Sequence, residues 1–169
     1  SRPLGCGITL VYIEDQLHQL AGLYGIQTSY LDMDHHLKPA SGEALLAVLK
    51  ALGAPLSSLQ DVPSAVRAKL LHHWQRPLEP VMVFWQGDQF TLHLRLPSRM
   101  VTGSLRASLI MENGKKKDYV WRLEESLITD SVTLEGEKYS AVRIHTPDRL
   151  PLGYHRLHIE IGGIEAEGR

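Results

Sequence analysis

One cysteine in 169 residues rules out an internal disulfide, and without cysteine partners Cys6 cannot anchor a structural zinc site. A reducing compartment suits such a chain, so the cytoplasm is the expected location. Long apolar runs are also missing. The longest unbroken one covers residues 44–49, against the ~20 residues that a membrane helix needs. The first residues lack the order of charge, apolar stretch and cleavage site that marks a secretory leader. Neither sign of charge dominates, because 18 Lys+Arg face 19 Asp+Glu for a formal net charge of -1. No broad field is available to hold nucleic acid or an anionic membrane, and neither is expected as a partner. A Gly-x-Ser-x-Gly elbow, a phosphate loop and a dinucleotide glycine pattern are all absent, and Cys6 has no fixed neighbouring base; nucleophilic and nucleotide chemistry have no support.

What the chain does have is 43% hydrophobic residues, enough to bury a real core, and a hydrophobic period that changes near residue 80. Before that point the period is helical. Ile13, Leu17, Leu20, Ala21 and Tyr24 form the stripe of an amphipathic helix that Gly25 stops. Ser41 is placed as the N-cap of a second helix, with Glu43 in its first turn, apolar Leu45, Leu46, Val48, Leu49 and Leu52, and Gly53 at its end. The third is predicted over Val62 to Gln75, with Asp61 as its cap, Val62, Val66, Leu70 and Trp74 as its apolar row, and Pro77 and Pro80 closing it.

Beyond Pro80 the period is two. Phe90, Leu92, Leu94 and Leu96 alternate with Thr91, His93 and Arg95, the pattern of a strand with one buried and one wet face. Val81 to Trp85 is expected to pair with it as a hairpin across residues 86–88. Leu105 to Met111 leads into the tight-turn signal Asn113-Gly114, and Tyr119 to Leu123 returns from it. Further short strands are predicted at Ser131 to Leu134, Tyr139 to Ile144 and Tyr154 to Ile161. Many short strands with turn residues between them argue for two packed antiparallel sheets. The fold class predicted is α+β: a helical segment of about three helices over residues 1–79, then an antiparallel immunoglobulin-like β-sandwich over 80–169. The chain starts at Ser1 rather than Met and stops just after a strand-like run, so it is expected to be an excised piece of a longer polypeptide.

Candidate chemistry is sparse. Adjacent His35-His36 and His72-His73 suggest metal ligation, but neighbouring helical residues point about 100° apart and cannot face one ion. Structural or surface roles are expected, with no metal and no cofactor. Asp32-Met33-Asp34 offers half of a carboxylate pair for glycosidic chemistry, or simply a turn in which aspartate oxygens accept backbone amides; the turn is the expectation. Lys115-Lys116-Lys117 reads as a solvated hairpin end. Trp85, Trp121 and Tyr119 lie on strand-like runs and are the candidate glycan-binding residues, since aromatic rings stack on sugars. Large aromatics equally fill the space between sheets.

From Leu20 to Asp32, the stretch Leu-Ala-Gly-Leu-Tyr-Gly-Ile-Gln-Thr-Ser-Tyr-Leu-Asp resembles the early signature of bacterial 4-alpha-glucanotransferases, the amylomaltases of glycoside hydrolase family 77. From Pro39 to Gly53, Pro-Ala-Ser-Gly-Glu-Ala-Leu-Leu-Ala-Val-Leu-Lys-Ala-Leu-Gly is similar to the helix that follows in that family, and Leu150-Pro151-Leu152-Gly153-Tyr154-His155-Arg156-Leu157 to the turn and strand closing its sandwich region. The pattern departs at His35, where the family carries glycine. The resemblance implies a parent that transfers α-1,4-glucan segments by a retaining mechanism, using two carboxylates on a (β/α)-barrel. Nothing in this chain has room for eight βα units, so no catalytic residue is carried over and the chain alone is expected to be inactive. Its implied partner is the catalytic barrel of the same polypeptide, with α-1,4-glucan as a second candidate. Three roles follow: a structural accessory packing on the barrel or mediating oligomer contacts, a maltodextrin-binding module, or an independent metal-binding or enzymatic domain.

Overall fold

The computed structural model describes residues 5–84 and 89–169, and the chain divides into two compact units, Ser1–His73 and Trp74–Arg169. The first holds α1 (Gly5–Leu23), a small hairpin of β1 (Ser29–Leu31) and β2 (Leu37–Pro39), and α2 (Gly42–Ala51). It also holds most of α3 (Val62–Gln75). Its core joins Leu17, Leu20 and Ala21 of α1, Leu45 and Leu49 of α2, and Val62, Ala65 and Val66 of α3, all buried. Each fully buried leucine contributes on the order of 1.5–3 kcal/mol relative to exposure.

The second helix follows its local signals closely. Ser41 is extended and its Oγ accepts from the Ala44 amide at 3.3 Å. At the other end the Ala54 amide donates to the Leu49 carbonyl and the Gly53 amide to the Lys50 carbonyl, with Gly53 left-handed at φ 82°. This is a Schellman closure, which glycine adopts without a Cβ penalty. The first helix ends the same way, through Ile26 to Ala21, Gly25 to Gly22 and Gly25 at φ 73°. The predicted apolar stripe of α2 is wider than the face it buries. Leu45 and Leu49 are covered, whereas Val48 flanks that row and Leu52 sits at the C-cap past the last helical residue, both exposed.

Asp61 does not cap α3 as expected. It occupies a single 3-10 turn, Leu59–Asp61, and its Oδ2 accepts from the Ser57 and Ser58 amides at 2.8 and 2.9 Å, so it satisfies amides on its N-terminal side. Those two bonds are the leading cause holding its carboxyl below the ordinary range.

The second unit is a sandwich of two antiparallel sheets. One has the order β3 (Gln89–Pro97), β7 (Glu137–Arg149), β6 (Leu127–Leu134); the other β5 (Lys116–Arg122), β4 (Ser104–Ile110), β8 (Arg156–Ile161), β9 (Ile164–Gly168). In immunoglobulin terms these are strands B, E and D against C′, C, F and G. Period-two alternation supplies the core: Phe90, Leu92, Leu94 and Leu96 from one sheet meet Leu105, Leu109, Leu157, Ile159 and Ile161 from the other. The Asn113-Gly114 turn forms as its sequence indicates, with Met111 and Lys115 paired across it and Gly114 at φ 81°.

The expected hairpin of Val81–Trp85 with Phe90–Leu96 does not form among the described residues. Residues 85–88 lie outside the described set, and β3 pairs instead with β7, Leu92 opposite Ile144. On its other side β3 takes a bridge between Leu78 and Leu94. The chain then crosses to the opposite sheet at Pro80, where the Arg169 amide donates to the Pro80 carbonyl at 2.9 Å and Met82 donates to the Arg169 carbonyl at 2.7 Å. Proline has no amide to continue the first ladder, so residues 77–82 serve as a split edge strand that touches both sheets. Strand β9 has no counterpart among the predicted strands, because Ile-Glu-Ala-Glu-Gly offers only one large apolar residue to its alternation.

Candidate functional site

Among the described residues, three places bring together side chains that could act on something. At the β1–β2 turn, Asp32 Oδ1 accepts from the Asp34 and His36 amides, both at 2.9 Å, and Oδ2 lies 3.0 Å from Lys38 Nζ. The His36 amide bond is the largest cause, and Lys38 the next, of the lowered pKa of Asp32. Asp32, Asp34 and His36 stand close enough to hold a cation, yet both Asp32 oxygens are engaged by the turn and an ammonium group already neutralises the charge. The aspartate therefore stiffens a hairpin. His35 completes it in the left-handed region at φ 60°, where a residue with a Cβ carries a steric cost that glycine does not.

The aromatic candidates sit on β5. Trp121 faces Leu105 and Tyr119 faces Ala107 in the β4–β5 register, which turns both rings to the inner side of the sheet. They stack on one another with centroids 4.9 Å apart and planes 9° from parallel, and both are half-buried against the sandwich core. Trp85 lies outside the described residues. Lys117 Nζ stands 2.6 Å from Asp148 Oδ1 and 5.5 Å from the Tyr119 ring centroid. Lys117 first, and the Tyr119 hydroxyl second, hold the Asp148 carboxyl below its usual range. Burial, then the Asp148 carboxylate, pushes the Tyr119 phenol up, so it remains a protonated donor; its oxygen makes no well-formed hydrogen bond. Chemically this is a ring pair at a sheet edge bordered by a hydroxyl, a carboxylate and an ammonium.

The third place is a cavity of about 430 Å³ where residues 81–84, the turn at 150–155 and the end of β9 meet. Phe90, Leu109 and Leu157 belong to its lining, and Phe84 meets Phe90 edge to face at 5.1 Å and 77°. His155 pins the turn. Its Nδ1 accepts from the Glu112 amide at 3.3 Å while Nε2 donates to the Pro151 carbonyl at 2.9 Å, which requires the neutral ring with its proton on Nε2. No sequence argument pointed to this cavity. The available signal was Val81-Met82-Val83-Phe84, a run apolar on both faces and so unlike a strand with a wet side.

No described helix is long and apolar enough to cross a membrane. The chain resembles the 4-alpha-glucanotransferases of Mycobacterium bovis and Mycobacterium tuberculosis, each 32% identical over 154 residues, which is 89% of this chain and 20% of the relative. It thus spans about a fifth of the length of these curated relatives. The crystal structure of amylomaltase from Corynebacterium glutamicum shares the fold, with a TM-score of 0.67 at 24% identity over 91% of this chain and 22% of that one. The family described as the MalQ N-terminal beta sandwich domain matches residues 77–169. That stretch is more than half of the sequence and contains every strand from β3 to β9, and on this ground the chain belongs to the MalQ N-terminal beta sandwich domain family.

Proposed function

We propose that this chain is the non-catalytic amino-terminal region of a cytoplasmic 4-alpha-glucanotransferase, which moves α-1,4-glucan segments in maltodextrin or glycogen metabolism. Its own role is structural: it packs on the catalytic barrel of the same polypeptide or mediates contacts between subunits. As domains we propose the helical segment 1–79 and the sandwich 80–169. The observation that carries this reading is a likeness to named 4-alpha-glucanotransferases that extends over 89% of this chain but only 20% of theirs. A region shared so completely, in relatives so much longer, is a component of a larger protein, and a sandwich with no eight βα units among the described residues supports a role outside the reaction centre.

The test compares maltoheptaose disproportionation by the whole protein, by the protein lacking residues 1–169, and by residues 1–169 alone. Transfer by the whole protein and none by the isolated region is the expected result. Transfer by the isolated region would sink the non-catalytic reading, and none by the whole protein would sink the transferase parentage.

A second reading has one observation in its favour, the half-exposed Tyr119–Trp121 pair with Asp148 and Lys117 beside it. Such a border offers ring stacking and hydroxyl-directed hydrogen bonds, the means by which a maltodextrin is held. Calorimetric titration with maltoheptaose, repeated on Trp121→Ala, decides it: saturable heat lost in the variant makes this a glucan-binding module, and no heat at millimolar sugar removes the reading.

A further inference from the structure

We propose that in the whole protein the polypeptide following residue 169 packs its apolar side chains into the cavity beside Arg169, over a rim made by Val81, Val83, Leu152 and Tyr154. This rests on the reading of the chain as the amino-terminal region of a longer transferase and names the surface by which it docks. The four rim side chains are 67%, 79%, 71% and 88% exposed, and all four line the same concavity. Single exposed apolar residues are ordinary; a group of them around an apolar hollow marks a covered surface.

The lining chemistry selects the occupant. Valine, leucine, methionine and phenylalanine dominate it, and His155 spends both ring nitrogens on the Glu112 amide and the Pro151 carbonyl. Sugar hydroxyls entering here would lose water and gain few partners, and each polar group left unpaired opposes binding. Aliphatic and aromatic side chains lose nothing of the kind.

Chain geometry selects the source. Arg169 lies in the cavity wall, fixed by its two backbone bonds to Pro80 and Met82. The family describes an N-terminal domain and the relatives are about five times as long as the matched region, so the remainder of such a protein leaves from this wall. A segment tethered there acts at an effective concentration in the millimolar range, which a free partner rarely reaches. With a formal net charge of only -1, no strong field opposes the approach.

Hydroxyl-radical footprinting of the whole protein tests this, each residue's rate being normalised to the denatured chain. Tyr139, 7% exposed, sets the covered limit, and Val120, 68% exposed on β5, sets the open one. Labelling of Tyr154 is expected to fall about ten-fold, close to Tyr139, while Val120 stays open. Tyr154 labelled at the denatured rate would overturn the proposal, and so would protection that vanishes on dilution, since a second copy would then be the cover. In a Val83→Asp variant of the whole protein, amide exchange across β3–β9 should hold while Tyr154 becomes labelled; unchanged protection there also overturns it. Glucan transfer measured on the same sample separates the two ideas. Active protein with Tyr154 open sinks the docking surface alone, whereas inactive protein with Tyr154 covered sinks the parentage and leaves the surface standing.

Discussion

Asp32 shows how one side chain can set a local structure. Its carboxylate gathers two backbone amides and Lys38, and its pKa lies below the ordinary 3.8 in consequence. A carboxylate depressed in the folded state stabilises fully above the unfolded value, and the contribution is lost as pH falls through the lower folded value. Asp32→Asn keeps an acceptor for the amides but loses the charge. The variant should be less stable than the parent near neutral pH, with the difference shrinking to nothing as pH drops below 3.8; denaturant melts across that range would show it, and a constant difference would refute it. Next to it, His35 holds φ 60°. His35→Gly should stabilise the protein by about 0.5–1 kcal/mol, the left-handed penalty offset in part by glycine's greater freedom when unfolded, and urea midpoints will register it. That Asp32-x-Asp makes a turn was legible from aspartate's habits; the left-handed residue was not, because histidine there runs against local preference. Thr146 is buried and donates to the Phe90 carbonyl at 2.7 Å, at a register shift that leaves Phe90 without a partner on β7. Thr146→Val should cost about 1–3 kcal/mol by stranding that acceptor, measurable in the same melts.

At the scale of elements, legibility follows the range of the interactions involved. The second helix could be read because Ser41, Gly53 and the Leu45–Leu49 row all act within it, and β3 because its buried face alternates without interruption. Strand β9 pairs with its neighbour β8 but lacks the apolar alternation that marks a strand. The split edge at 77–82 could not be read, since its partners, Leu94 and Arg169, lie far along the sandwich sequence. The same limit applies to the candidate site. Tyr119 and Trp121 could be named as aromatic strand residues, but only the register against Ala107 and Leu105 shows which way they turn. Gly168 gives that long-range pairing a test. A Cβ there would meet the Glu79 carbonyl oxygen at 2.9 Å, Met82 Cε at 3.0 Å and Leu78 Cδ2 at 3.1 Å. The backbone oxygen cannot swing aside as a side chain would, so Gly168→Ala should cost about 1–3 kcal/mol through overpacking. Exchange of the Met82 and Arg169 amides should speed up with it; a variant of unchanged stability would mean that this edge is not closed as described.

At the scale of the whole molecule, the described residues form two buried clusters with no residue in common, one in the helical unit and one in the sandwich. Leu49 and Leu94 are each fully buried, one in each cluster. Truncation of a buried leucine removes its transfer free energy and leaves a cavity, so Leu49→Ala and Leu94→Ala should each cost about 2–5 kcal/mol. Residues that share no packing partners combine additively to within about 0.5 kcal/mol, which is the expectation for the double variant. Native-state hydrogen exchange gives the finer reading. Leu49→Ala should accelerate the amides of α1, α2 and α3 while those of β3, β4 and β8 keep their protection, and Leu94→Ala should do the reverse. Acceleration of both sets by either substitution would mean that the units unfold as one cooperative body, and a docking partner for the sandwich would then stabilise the helices as well.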